Sequence, residues 1–116
     1  MTAHASGLMV IVTSDVLGRG DDELGHRLMA KFVLQLCAQS PKPDVIAFYN
    51  AGVNLLAEQS PYLEGFRTLG EEGADLIACG TCVDYFHLRD KLGTGRISDM
   101  AEIVATALRA TKVVTV

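Results

Sequence analysis

The sequence lacks any cluster of basic residues and any long apolar segment, and these two absences exclude two classes of protein. Its 116 residues carry 10 Lys and Arg against 14 Asp and Glu, which gives a net charge of −4. Binding to a nucleic-acid backbone requires clustered positive charge, so no nucleic-acid partner is expected. The longest apolar runs, such as 8–12, are far shorter than the roughly 20 residues that cross a bilayer. The first residues also lack the basic segment of a secretory signal, so a cytoplasmic protein without membrane association is predicted.

Cysteine is scarce as well. The chain has three cysteines, an odd number in a sequence with enough Leu, Val, Ile and Ala to fold without cross-links. A secreted disulfide framework is therefore excluded. Cys37 continues the apolar face of a predicted helix and is expected in the core, whereas Cys79 and Cys82 need a separate explanation.

The length is that of one folded domain with one hydrophobic core. We therefore predict a single domain over residues 1–116, in which 1–7 form a flexible tail that contains His4.

Short apolar segments alternate with helical patterns along the chain. Strands are predicted at 8–12, 45–49, 76–78 and 112–116, with a minimal additional strand at 96–97. Helices are predicted from Asp22 with Asp21 or Asp22 as cap, from Ser60–Pro61 to Gly70 or Gly73, over 83–92, and after a Ser98 cap. This alternation predicts an α/β fold, a three-layer α/β/α sandwich with a parallel sheet of about five strands and a flavodoxin-like general architecture.

Polar residues concentrate in the loops that leave the carboxyl edge of this sheet, where open parallel sheets bind ligands. The first loop combines Ser14, Asp15 and Arg19 with glycines, a composition that can hold a small anion or simply form a turn with a solvated Arg19. Asn50 suits a turn with unusual backbone angles and is also a candidate ligand contact. No phosphate-loop or dinucleotide fingerprint is present, so no cofactor is predicted. The candidate substrate-binding residues are Ser14, Asp15, Arg19, Asn50, Gly80 and Thr81.

The segment 79–82 is a C-x-x-C pair between a predicted strand and a predicted helix. Thr81 and Asp84 match a capping pattern that places Thr81 at the N-cap and Cys82 in the first turn. Backbone N–H groups there favour a thiolate, so the pKa of Cys82 is predicted to lie modestly below about 8.5, with Asp84 opposing the shift. Cys82 is the candidate nucleophile and Cys79 the candidate resolving thiol or disulfide partner. The alternative is that both are small buried residues.

No metal site is predicted. One C-x-x-C pair supplies two of the four ligands of a structural zinc site, and His87 falls within the predicted helix 83–92. His26 and His87 are both expected on helix surfaces.

Four segments together resemble the DsrE-like domain of YedF-type proteins: TSDVLGRGDDELG at 13–25, NAGV at 50–53, CGTCVDY at 79–85 and ISDM at 97–100. The resemblance runs from about Val10 to the end of the chain. It implies a DsrE/DsrF-like α/β sandwich, often oligomeric, in a family associated with sulfur relay and, for YedF, with a proposed role in selenium metabolism. In sulfur-relay members a loop cysteine carries a persulfide, and by position Cys79 and Cys82 are the candidates.

YedF-type proteins usually carry a TusA-like domain before this one, and the residues ahead of Leu8 are too few to form it. Either a separate TusA-like carrier protein is the partner, or this chain has another function. Three hypotheses follow: a persulfide carrier with sulfurtransferase-like chemistry, a dithiol redox protein, and a non-catalytic ligand-binding or assembly subunit.

Overall fold

The computed structural model describes residues 7–116, so the predicted tail with His4 lies outside the described residues except for Gly7. Gly7 is tied to the fold, because its carbonyl accepts hydrogen bonds from the N–H groups of Thr111 (2.9 Å) and Lys112 (3.2 Å). The elements are β1 (Leu8–Val12), α1 (Asp22–Ala38), β2 (Val45–Phe48), a 3₁₀ helix (Asn50–Leu56), α2 (Leu63–Glu71), β3 (Asp75–Cys79), α3 (Gly80–Tyr85), β4 (Arg96–Ser98), α4 (Met100–Arg109) and β5 (Lys112–Thr115).

The five strands form one sheet in the order β4-β3-β2-β1-β5, and every neighbouring pair is parallel. Parallel neighbours require crossover connections, and the helices between the strands supply them. The α/β fold predicted from the alternating pattern is confirmed. The register pairs Val12 with Phe48 and Phe48 with Ala78, so the carboxyl ends of β1, β2 and β3 reach the same edge.

Both faces of the sheet are covered by helices. One face packs against α1, the 3₁₀ helix, α2 and α3, and Phe48 meets Phe66 edge-on there with ring centroids 5.1 Å apart. The other face packs against α4 through Ile103. The three central strands are buried on both faces, which explains why their sequences read as continuous apolar runs.

Helix α1 begins as predicted, and Asp21 is its cap: Asp21 Oδ1 accepts a hydrogen bond from the N–H of Leu24 at 2.8 Å. The predicted start of the second helix at Ser60–Pro61 is wrong, since α2 begins at Leu63. Ser60 Oγ accepts instead from the N–H of Tyr62, two residues on, at 3.1 Å. This local bond forms a turn that delays the helix.

Two further helix predictions are wrong. Asp99, and not Ser98, caps α4 by accepting from the N–H of Glu102 at 2.8 Å, while Ser98 lies in β4 and donates its hydroxyl to Glu102. The predicted helix 83–92 is replaced by α3, which ends at Tyr85. His87 is therefore not inside a helix; it is exposed and has a φ of 57°, a left-handed conformation that stops helical propagation.

Within residues 7–116, no helix has both the length and the apolar character that crossing a membrane would require.

Candidate functional site

The strand order settles which loops are neighbours at the carboxyl edge. Because β2 lies between β3 and β1, the loop after β2 separates segment 79–82 from segment 13–21. Adjacent strands are about 4.8 Å apart, so the bases of the two outer loops are separated by about 10 Å. The central loop after β2 can therefore contact both.

Asn50 begins the 3₁₀ helix in a left-handed conformation, with a φ of 52°, which confirms the unusual backbone angles predicted for it. Its side-chain Oδ1 accepts a hydrogen bond from the N–H of Ala51 at 2.8 Å. Its own backbone N–H donates to Cys82 Sγ at 3.0 Å. Asn50 thus reaches the cysteine site through its main chain, a contact that residue type alone does not reveal.

Gly52 allows the 3₁₀ helix to lie directly on the end of β1. A Cβ at this position would be 3.0 Å from the carbonyl carbon of Val12 and closer still to the carbonyl oxygen. Only glycine fits this approach without displacement. Gly52 was not among the predicted site residues, although a glycine directly after a buried strand is the cue for such an approach.

Cys79 and Cys82 lie at the junction of β3 and α3. Cys79 is the last residue of β3 and occupies the N-cap position, and it is 3% exposed. Cys82 is half-buried in the first turn of α3. The prediction that Thr81 is the cap is wrong, because α3 begins at Gly80 and Thr81 is an exposed residue inside it. All three cysteines are free thiols.

The predicted lowering of the pKa of Cys82 is wrong. Burial raises the pKa, the hydrogen bond from the Asn50 N–H lowers it, and the hydrogen bond and charge of Cys79 raise it further. Burial prevails because it penalises the charged thiolate more than one backbone N–H stabilises it. The six-residue helix α3 does not reverse this balance.

Asp84 does not contribute to that shift. Its carboxylate accepts two hydrogen bonds from Arg89, from Nε at 2.7 Å and from an Nη at 3.0 Å, and this pairing lowers the pKa of Asp84. The negative charge expected to oppose a Cys82 thiolate is therefore compensated by the guanidinium.

Gly80 brings α3 against β4. A Cβ at this position would lie 3.0 Å from the carbonyl oxygen of Ser98 and 3.4 Å from a methyl group of Ile97. Close packing of helix on strand explains this glycine, whereas Thr81 beside it remains available to a ligand.

In the first loop, the predicted binding residues Ser14 and Asp15 form hydrogen bonds with residues other than the cysteines. Ser14 Oγ accepts from the N–H of Val16 at 3.2 Å, and Asp15 accepts from the side-chain amide of Asn54 at 3.4 Å. Arg19 is exposed and makes no hydrogen bond or ion pair within the part of the chain that the structure describes. Ser14 and Asp15 stabilise the loop, and Arg19 is the member of the predicted set whose charge is open to an incoming group.

Two aromatic residues near this edge were not predicted as site residues. The Tyr62 hydroxyl donates to the carbonyl of His26 at 3.0 Å, and burial together with nearby Asp15 raises the pKa of Tyr62. His26 itself lies on the exposed surface of α1, as expected. Tyr85, three residues after Cys82 on α3, is 76% exposed. Its ring packs edge-on against that of Phe86, with centroids 5.2 Å apart.

Across residues 7–116, no group of three or more His, Cys, Asp or Glu side chains has an arrangement that could hold a metal ion.

The chain is thus a small α/β protein with a single parallel sheet and two cysteines at the carboxyl edge of that sheet. Residues 10–116 match the DsrE/DsrF-like family, and the chain belongs to this family. No curated protein matches the sequence.

Solved structures share the fold at low sequence identity. The ychN protein from E. coli has a TM-score of 0.71 and 14% identity, with coverage of 94% of this chain and 97% of that one. MTH1491 from Methanobacterium thermoautotrophicum, a protein of unknown function, has a TM-score of 0.68, 21% identity and the coverages 94% and 97%. BT1422 from Bacteroides thetaiotaomicron, a conserved protein of unknown function, has a TM-score of 0.66 and 15% identity over 100% of both chains.

Proposed function

We propose that this protein takes up a sulfane sulfur, or the corresponding selenium, on Cys82, holds it as a persulfide, and passes it to a thiol of a partner protein. The observation that carries the proposal is the setting of Cys82. Its sulfur accepts a hydrogen bond from the Asn50 N–H at 3.0 Å, yet the side chain remains partly exposed. The association of the DsrE/DsrF-like family with sulfur relay supports it.

The chemistry consists of two exchange steps at sulfur. The thiolate of Cys82 attacks the outer sulfur of a donor, a Cys82–sulfur bond forms, and the remainder of the donor leaves as a thiolate. An acceptor thiolate then attacks the outer sulfur and releases Cys82 as a thiolate. In both steps negative charge develops or disappears on Cys82 Sγ, where the N–H of Asn50 stabilises it.

The raised pKa of Cys82 fits a carrier that stays inactive between partners. A protonated thiol is a poor nucleophile and is less susceptible to oxidation than a thiolate. Docking of a sulfur-donating protein can lower the pKa of Cys82, since it brings new hydrogen-bond donors or positive charges next to the sulfur. An odd number of cysteines without a disulfide framework is typical of a reducing compartment, and we propose that the protein is cytoplasmic.

The proposal is tested by intact mass. Reduced protein incubated with a low-molecular-weight persulfide should gain one sulfur atom, and Cys82→Ser should abolish the gain. Cys37→Ser is the matched control, because Cys37 lies between α1 and α2, where its thiol donates to the carbonyl of Gly65 at 3.4 Å. Absence of an adduct both in the wild-type protein and in a Cys79→Ser variant overturns the proposal.

A dithiol redox function is the second candidate, and the placement of Cys79 at the N-cap of α3 with Cys82 in its first turn favours it. Titration against a glutathione redox buffer should then show a reversible intramolecular disulfide. Failure of this bond to form under mild oxidation eliminates the redox function and leaves the carrier function intact. Retention of partner binding in a Cys79→Ser, Cys82→Ser double variant would favour the third function, an assembly or ligand-binding subunit.

The partner that we propose is a TusA-like sulfur carrier, because the sequence resembles a domain that usually follows a TusA-like domain in YedF-type proteins. Tyr85 follows Cys82 by three residues on α3 and is 76% exposed, so its ring is our candidate contact for the carrier. Persulfide-loaded TusA-like protein should transfer its sulfur to Cys82, and Tyr85→Ala should slow the transfer while leaving uptake from a small persulfide unchanged. Equal rates for wild type and Tyr85→Ala would contradict this docking surface.

We also propose that copies of the chain associate through α4. Met100, Val104 and Leu108 recur at a spacing of four residues and are 45%, 48% and 82% exposed, which forms an uncharged apolar stripe. In sedimentation experiments Leu108→Glu should shift the protein to smaller species. Leu34→Glu on α1, where Leu34 is 65% exposed, is the control and should leave the distribution unchanged. A wild-type protein that stays monomeric at all concentrations overturns this assignment.

A further inference from the structure

The two cysteines of the C-x-x-C pair differ sharply in access to solvent. Cys79 is 3% exposed and belongs to the hydrophobic cluster between the sheet and α4, whereas Cys82 is half-buried and packs against the clusters on both faces of the sheet. An external donor or acceptor can therefore reach Cys82 but not Cys79. The group that Cys79 can reach is the sulfur of Cys82.

The local geometry keeps the two side chains together. Cys79 occupies the N-cap of α3 and Cys82 the third helical position, and an N-cap side chain normally points toward that position. Cys79 makes no capping hydrogen bond to the backbone, so its thiol is not held by the helix end. Its interaction with Cys82 contributes to the raised pKa of Cys82, as expected for two thiols held close together at one helix end.

We infer that Cys79 gives the Cys82 persulfide a second fate, which is release of sulfide with formation of a Cys79–Cys82 disulfide. This inference rests on the proposed function, because it requires a persulfide on Cys82. A bound acceptor attacks the outer, solvent-facing sulfur and carries it away. Cys79, which lies behind Cys82 in the core, attacks the inner sulfur, Cys82 Sγ.

The step is balanced within the protein. The sulfur of Cys79 forms a bond to Cys82 Sγ, the bond between Cys82 Sγ and the outer sulfur breaks, and the outer sulfur leaves as sulfide with the proton of the Cys79 thiol. The two cysteines lose two electrons and the sulfane sulfur gains them. A further turnover requires an external dithiol reductant to reopen the disulfide.

The competition between the two fates follows from effective concentration. A thiol held within the same short segment reacts as if it were present at millimolar concentration or above, whereas a partner protein reaches such values only when it is bound. Acceptor docking therefore decides whether sulfur is passed on or discarded as sulfide.

The test is a single turnover without oxygen. Reduced protein is loaded with glutathione persulfide, freed of small molecules by rapid gel filtration, and followed by intact mass and by trapping of released sulfide with a bimane reagent. The wild-type adduct should decay with release of sulfide, and peptide mapping should locate a Cys79–Cys82 disulfide. In Cys79→Ser and Cys79→Ala the Cys82 persulfide should survive at least about tenfold longer. Cys37→Ser should behave as the wild type.

The outcomes separate this inference from the proposed function. A wild-type persulfide that lasts as long as in both Cys79 variants overturns the inference and leaves the carrier function standing. Absence of an adduct in every protein overturns the carrier function itself. Circular dichroism shows which Cys79 variants are folded. If neither variant folds, peptide mapping of the wild-type protein tests the inference, because decay of the persulfide without a Cys79–Cys82 disulfide contradicts it.

Discussion

Substitution of Gly52 by alanine should destabilise the fold and disturb the cysteine site at the same time. The added Cβ would lie 3.0 Å from the carbonyl carbon of Val12, whereas carbon atoms normally pack at about 3.5–4.0 Å. The 3₁₀ helix must therefore move away from β1 by about 0.5–1 Å. Val12 cannot move to compensate, because it is fully buried in a central strand.

This shift has two effects, a loss of stability whose size can be estimated and a change in the pKa of Cys82 whose direction can be predicted. Overpacking of this kind costs about 1–3 kcal/mol of the free energy of unfolding, more than the roughly 0.4–1 kcal/mol that alanine gains by restricting the unfolded chain. Asn50 lies two residues earlier on the same 3₁₀ helix, so its N–H moves off Cys82 Sγ. Since that hydrogen bond lowers the pKa of Cys82, its loss should raise the pKa further.

Urea unfolding followed by circular dichroism measures the first effect, and peptide-resolved alkylation of Cys82 as a function of pH measures the second. Gly70→Ala is the control, because its Cβ would make an ordinary contact at 3.5 Å with Leu76 and should leave stability equal or slightly higher. A Gly52→Ala protein with the urea midpoint and the alkylation profile of the wild type would refute the reasoning.

Three further predictions concern the Cys82 thiol, the backbone of Asn50 and the ion pair between Arg96 and Glu102. In the wild type, alkylation of Cys82 should still be accelerating above about pH 8.5, because its pKa is raised; a plateau below that pH contradicts the burial argument. Asn50→Ala should be less stable in urea than Asn50→Gly by about 1 kcal/mol, since its φ of 52° costs alanine but not glycine; equal stability refutes this. The pairing with Arg96 holds the pKa of Glu102 at about 2, below its usual 4.5, so this stabilisation is present above 4.5 and is lost as the pH falls toward 2. Arg96→Gln should therefore lower the free energy of unfolding by about 1 kcal/mol near neutral pH, a value reduced to allow for the partial exposure of the pair. In urea unfolding, this variant should also lose less stability than the wild type as the pH falls from 4.5 toward 2.

The fold could be predicted from the sequence because each buried strand is a continuous apolar run and each helix shows its period. Strand order could not, since it depends on contacts between residues distant in the chain. The errors at Ser60 and Ser98 share one cause. Ser60 and Ser98 both satisfy the capping pattern, but each forms a competing bond, Ser60 with the N–H of Tyr62 and Ser98 with the Glu102 side chain. Asp99, one residue on, takes the cap because its own spacing to Glu102 is the correct one.

Only part of the candidate site could be predicted from the sequence. Spacing identified Cys79 and Cys82, because a C-x-x-C pair is a pattern of side chains. The group that donates a hydrogen bond to Cys82 is the backbone N–H of Asn50. Such a donor cannot be predicted from residue type, because every residue except proline has a backbone N–H. The direction of the pKa shift of Cys82 could not be predicted either, because it depends on how deeply Cys82 is buried. That burial results from the packing of α3 on the sheet.

The location of the thiol pair follows from the order of the strands. Cys79 ends β3, and β2 is its neighbour on the side of the 3₁₀ helix, so the first residue of that helix is placed over the sulfur of Cys82. Had β1 been the neighbour of β3, the donor opposite Cys82 would have come from the loop that contains Asp15, whose carboxylate would repel a thiolate. The observed order instead places a neutral backbone donor against the sulfur and leaves Asp15 bound to Asn54. An anionic sulfur on Cys82 would therefore accept a hydrogen bond from the Asn50 N–H, while the carboxylate of Asp15 accepts one from Asn54 instead of facing that sulfur.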